Sequence, residues 1–260
     1  MMKNQDKLRL AVGVLMSSAA VLAASAALGE TMVGSSIESR LVLGFKVADA
    51  AVEAWLPDGW VPFTLPGGPV GGANMVMALM DKHLMRNAEG EPTTSGAGPT
   101  VALMAYARNP DVEGVRGYVT RVYEEAPVLS PYGNSVPADI RRHVVLSDAE
   151  DGGRMQTEEW MIAPEAGGDI EIKLGMAVGG YKWSEGGESR PYSAVNPEFF
   201  RIYRYDQLAG LAKSAGMGLE LNGSVEVTVS DPELAEMFDG SEELVTILSI
   251  PIYMREISLP

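Results

Sequence analysis

Between Arg108 and Arg142 the chain gathers five arginines, at positions 108, 116, 121, 141 and 142, although the sequence as a whole is acidic. A guanidinium presents paired N–H donors that match a carboxylate. In the same stretch Arg121 is followed by Tyr123, Glu124 and Glu125. These are the parts of an acid–base site for an anionic substrate. Arg116 and Arg121 would hold the anion, and Tyr123, Glu124 or Glu125 would give or take a proton. The other reading of the same residues is a set of surface ion pairs with the many acids.

Lysine supplies a second chemistry. Its amine is nucleophilic at neutral pH when burial or a nearby cation lowers its pKa. Beyond the N-terminal segment the lysines are Lys46, Lys82, Lys173, Lys182 and Lys213. Lys173 sits in the alternating run Ile170–Val178, with Glu171 on its face and Ile170, Ile172 and Leu174 on the other. It is a candidate catalytic lysine, or else a solvent-facing partner of a carboxylate. Lys46 and Lys82 stand at element ends, where surface lysines snorkel; Lys182 flanks a turn. The two histidines, His83 and His143, rule out a three-histidine metal site. His83 reads as a surface residue, and Arg141 and Arg142 disfavour protonation of His143.

Composition removes other chemistries. There is no cysteine, hence no disulfide, thiol nucleophile, iron–sulfur cluster or thiolate zinc site. The sequence holds no G-x-S-x-G elbow, Walker loop, G-x-G-x-x-G or H-E-x-x-H. The acidic run 148–152 lacks calcium-loop spacing and reads as a solvated turn. No metal or cofactor is expected. A net charge of −15 leaves little basic surface for nucleic acid. The expected partner is a small-molecule ligand or substrate; a homo-oligomer is left open.

The elements that must carry these residues are short. Lys3, Lys7 and Arg9 precede an apolar stretch, Leu10–Ala24, that ends in Ala24-Ser25-Ala26. That is the pattern of an export signal over residues 1–26, with a periplasmic or secreted address. Its removal takes away three basic and one acidic residue and moves the net charge from −15 to −17. No second stretch has membrane length, so no membrane contact is expected after cleavage. Residues 27–260 are expected to form one domain. Strands are predicted at 37–45, 73–84, 101–108, 117–123, 141–146, 154–162, 170–178, 198–205, 224–229 and 244–259. Short helices are predicted at 47–56, ended by Pro57, at 206–215, and from the Asp231-Pro232 cap to Phe238. The fold class is α+β, mainly antiparallel β.

The segment FKVADAAVEAWLPDGWVP (45–62) resembles the strand–helix–proline signature of the acetoacetate decarboxylase superfamily. The run ANMVMALMD (73–81), the strand before Gly180-Tyr181-Lys182, and the closing stretch to Leu259-Pro260 resemble that family's pattern in the same order. The resemblance implies a cone-shaped β-barrel around a ligand cavity. It implies lyase chemistry on a small keto or hydroxy carbonyl compound, by decarboxylation, aldol cleavage or dehydration. A non-catalytic barrel binding an apolar or keto-acid ligand is the alternative. The family's Schiff-base lysine loop matches 121–131 here, which carries no lysine; Val128 takes the nucleophile's place. The family's substrate-binding arginine position holds Glu38, with Arg40 two residues on as the substrate-binding candidate.

Overall fold

The computed structural model describes residues 29–127, 130–148 and 153–260. The expected export signal, Val128 and most of the acidic turn lie outside them. The strands, in order, are β1 (Thr31–Lys46), β2 (Val61–Pro62), β3 (Met75–Arg86), β4 (Pro92–Thr93), β5 (Gly98–Asn109), β6 (Val112–Glu124) and β7 (Ser135–Asp148). There follow β8 (Arg154–Pro164), β9 (Ile170–Val178), β10 (Lys182–Ser189), β11 (Tyr192–Ser193), β12 (Ile202–Ser214), β13 (Gly223–Val229) and β14 (Glu243–Leu259). One five-residue helix, α1 (Asp49–Glu53), and two 3-10 turns complete the elements among the described residues.

The strands pair in the order β10-β12-β14-β1-β3-β5-β6-β7-β8-β9-β13. Most pairs are antiparallel; β6–β7 and β6–β11 are parallel. The mainly antiparallel reading holds. The barrel does not close: among the described residues β10 and β13 remain edges of the sheet.

Alternate residues of a strand face opposite sides of the sheet, so strands apolar throughout are covered twice. Leu41, Leu43 and Phe45 of β1, Met77 and Leu79 of β3, and Leu103 of β5 point to one side. There they join Ile140, Trp160, Ile162, Ile172 and Leu174 of β7–β9 in the main core. Phe238 packs edge-on to Phe45, centroids 5.2 Å apart, and closes this core. Val76, Ala78, Met80 and Met104 point to the other side, into a cavity.

The helix predicted at 206–215 is a strand. β12 pairs with β10 on one edge and β14 on the other. Register shifts fall between Leu208 and Gly210 and between Leu211 and Lys213. Each bulge displaces the two-residue alternation by one. Apolar residues at 208, 211 and 212 therefore carry helix-like spacing while the backbone stays extended. The helix predicted from Asp231 is only a 3-10 turn, Pro232–Leu234; its cap holds, with Asp231 accepting from the Glu233 backbone N–H at 2.9 Å. Lys182 opens β10 instead of flanking a turn.

Candidate functional site

The register places the site. Glu38 of β1 stands opposite Lys82 of β3, and Arg40 opposite Met80. Met80 stands opposite Thr100 of β5, and Thr100 opposite Glu124 of β6. Arg40, Lys82, Thr100 and Glu124 thus share one end of a cavity of about 650 Å³. Arg255 of β14, Arg201, Tyr132 and Tyr203 also line it.

Glu38 is fully buried and anchors this end. Its Oε1 accepts from Arg40 at 2.6 Å and lies 3.3 Å from Arg255. Burial alone would raise its pKa. Arg255 and Arg40 outweigh that, and hold it at about 2. The two arginines are backed by aromatic rings. The Arg40 guanidinium lies 3.6 Å from the Tyr253 ring centroid, and that of Arg255 lies 4.4 Å from that of Tyr203. Tyr205 stacks on Tyr253 with centroids 4.8 Å apart. Such contacts favour a cation without neutralising it. Tyr132 and Tyr203 share a hydrogen bond of 2.6 Å. Burial, then Tyr203, pushes the Tyr132 phenol up, so it stays protonated.

Lys82 stands between these charges. Burial strips water from its ammonium and lowers its pKa; Glu124 and Glu38 oppose this, and Arg255 and Arg40 reinforce it. The net shift is downward, toward a free amine. Glu124 keeps one carboxylate oxygen, Oε1, buried without a hydrogen-bond partner among the described residues. The Nε atoms of Arg40 and Arg201 are in the same condition. The end of the cavity therefore offers an amine, a carboxylate and several guanidinium donors.

The residues singled out from the sequence divide between two faces. Glu124, Arg40 and Arg116 line the cavity. Tyr123 and Arg121 do not, because neighbours in a strand point to opposite sides. Tyr123 is buried in the main core and donates to Asp231 at 2.5 Å. Arg121 pairs with Glu233 and lies 4.9 Å from the Trp55 ring centroid. It lines a second hollow beside Asn134, away from Lys82. Glu125 is exposed in the bend after β6. Lys173 is exposed on β9, 3.4 Å from Glu171. The cluster that looked continuous in sequence is split by the period of the strand.

Arg116 stands far along β6 from Glu124, with its guanidinium 4.3 Å from the Tyr192 ring centroid and 4.9 Å from that of Trp60. Arg142 crosses between sheets, donating to Ser39 at 2.7 Å, to Glu158 at 2.9 Å and to Asp81 at 3.0 Å. Arg141 pairs with Asp139 at the surface. No group of three or more His, Asp or Glu side chains that could hold a metal occurs among the described residues. None of their helices is long and apolar enough to cross a membrane.

Two outcomes follow from this division. Tyr123→Phe takes a hydrogen bond from a buried carboxylate, and is expected to lower stability by about 2 kcal/mol in urea unfolding. Ligand affinity should be unchanged. Lys173→Ala removes an exposed pair and is expected to change stability by less than about 0.5 kcal/mol, again with unchanged ligand binding by calorimetry.

Lys82, Glu38, Arg201 and Arg255 were not singled out from sequence. The signal for Lys82 is in ANMVMALMDKHL: Val76, Ala78 and Met80 alternate with Met77 and Leu79, so both faces are apolar. Extending the first set by two residues reaches Lys82 on a covered face.

No family model matches the chain, and no curated protein matches it in sequence. Among solved structures it is similar to an acetoacetate decarboxylase-like enzyme from Sphingomonas wittichii RW1. The identity is 14% and the TM-score 0.54, over 88% of this chain and 92% of that one. The enduracididine biosynthesis enzyme MppR complexed with pyruvate matches at 12% identity and TM-score 0.49, over 87% and 88% of the two chains. Acetoacetate decarboxylase from Legionella pneumophila matches at 10% and 0.44, over 88% and 85%. At these identities the likeness is one of fold. The chain has an acetoacetate decarboxylase-like fold, as its sequence pattern implied.

Proposed function

We propose that the cavity takes a keto acid with an apolar body, and that the protein acts on it as a lyase through an imine on Lys82. The observation that carries this reading is a lysine of lowered pKa beside Glu124, Arg40 and Arg255 at one end of a cavity whose β3, β5 and β6 wall is largely apolar. The free amine adds to the ketone carbon, and loss of water gives an iminium. The iminium draws the electron pair of the breaking bond, C–C in decarboxylation or aldol cleavage, and forms an enamine. Glu124, having taken up a proton from solvent, delivers it to the enamine carbon; attack of water on the resulting iminium then releases the product and the free amine. Arg40, Arg201 and Arg255 supply the positive field that holds the substrate carboxylate. The fold supports the reading in that it is also that of the similar acetoacetate decarboxylase-like enzyme. We further take residues 1–26 to be an export signal, which puts this activity in the periplasm or outside the cell.

The methionine-rich wall, including Met80 and Met104, suits ligand binding without turnover as well. Proton NMR of the protein with a panel of 2-oxo and 3-oxo acids separates the two. Loss of carbon dioxide or of an aldehyde fragment supports the lyase. Saturable binding with the acids left intact supports the second reading, and neither result removes both.

A further inference from the structure

We infer that the ligand is an elongated apolar monocarboxylate, with its carboxylate at the Lys82 end and its tail along β3, β5 and β6. This deepens the keto-acid reading, because it uses the same cavity, but it does not depend on imine formation.

The register gives the cavity its length. Lining residues run from Met85 past Lys82 to Val76 on β3, with Lys82 and Val76 six residues apart, and from Thr100 to Tyr106 on β5. Six residue steps of strand span up to about 20 Å. On β6 they run from Glu124 back to Glu113, a longer path. Between those ends the wall on β3, β5 and β6 is Val76, Ala78, Met80, Ala102, Met104, Val119 and Val122, with Tyr132 and Ser135 beside Val122. The side chains that these three strands contribute there are all apolar. A four-carbon keto acid would occupy one end and leave this wall uncovered.

The charges are distributed unequally along that length. At the Lys82 end Arg40 and Arg255 share the single carboxylate Glu38, while Lys82 and Arg201 have no ion pair among the described residues. Glu124 offsets only part of that charge. At the far end Arg116 shares the wall with Glu113 and stacks on two rings. One end is cationic, the middle apolar and the other end balanced. That pattern fits one carboxylate and a tail.

Calorimetry with saturated acids tests this without any carbonyl: butanoate, octanoate and dodecanoate, each against the matching alcohol. Affinity is expected to rise about fourfold per methylene from butanoate to octanoate. Replacing carboxylate by hydroxyl is expected to weaken binding tenfold or more. Met104→Trp narrows the middle of the cavity; it should weaken dodecanoate at least tenfold and butanoate less than twofold. Flat affinity along the series, equal binding of acid and alcohol, or equal loss of both acids in Met104→Trp overturns the inference. Should Met104→Trp not fold, the wild-type series and the acid–alcohol pairs decide by themselves. The series run on Lys82→Met keeps the two readings apart. A retained slope there, together with absent keto-acid turnover in the wild type, removes the imine and leaves the elongated ligand. A flat slope with turnover of short keto acids does the reverse.

Discussion

Lys82→Met is expected to abolish turnover of keto acids and the adduct trapped by borohydride, while the protein stays folded. Among the described residues Lys82 is the only lysine lining the cavity, and it carries the only amine there that can form an imine. The loss should be at least about a thousandfold, since a missing nucleophile leaves only binding and proton transfer. Stability should not fall. Burial has lowered the pKa of Lys82 in the folded protein, so holding it charged costs free energy that methionine does not incur. The melting temperature of Lys82→Met should therefore equal or exceed that of the wild type at neutral pH. Wild-type turnover should rise with pH through the depressed lysine pKa, below the range of an ordinary lysine. A variant that melts early, or one that retains turnover, would count against Lys82.

Glu38→Gln is expected to have the largest effect on stability. Glu38 is the one carboxylate between two arginines, and it is fully buried. Removing one partner of a buried ionic group leaves charge without compensation, at a cost of about 3–5 kcal/mol. The pH dependence has a definite sign. A carboxylate held at about 2 instead of 4.5 contributes stability that is full above pH 4.5 and fades as pH falls toward 2. That difference corresponds to about 3 kcal/mol. Urea unfolding across this window should show the wild type losing stability faster than Glu38→Gln. Parallel curves would show that the ion cluster does not govern acid stability.

Much of the strand plan can be read from the sequence, because runs such as VALMAYAR and IEIKLGMAV carry it in their alternation or their unbroken apolar character. What misleads is a bulge. The two register shifts in β12 turn strand spacing into the 208, 211, 212 pattern of a helix. The site is legible in part for the same reason. The stretch Arg121–Glu125 announces charged chemistry, but of its polar residues only Glu124 reaches the cavity, since alternation sends Tyr123 and Arg121 into the opposite layer. Arg40 could be found from its place in the family-like pattern. Arg255 lies 215 positions further along the chain, and only the pairing of β1 with β14 brings it to Glu38. Lys82 is hidden by its neighbours: Asp81 and His83 look solvated, and they are on the other face.

The proposed chemistry turns on Lys82 as the reacting group. Borohydride reduction in the presence of a 3-oxo acid, followed by peptide mass mapping, tests it most directly. One adduct is expected, on the peptide containing Lys82, with the mass of the reduced imine. An adduct on Lys173 or another surface lysine, or none under conditions where the acid is consumed, contradicts it.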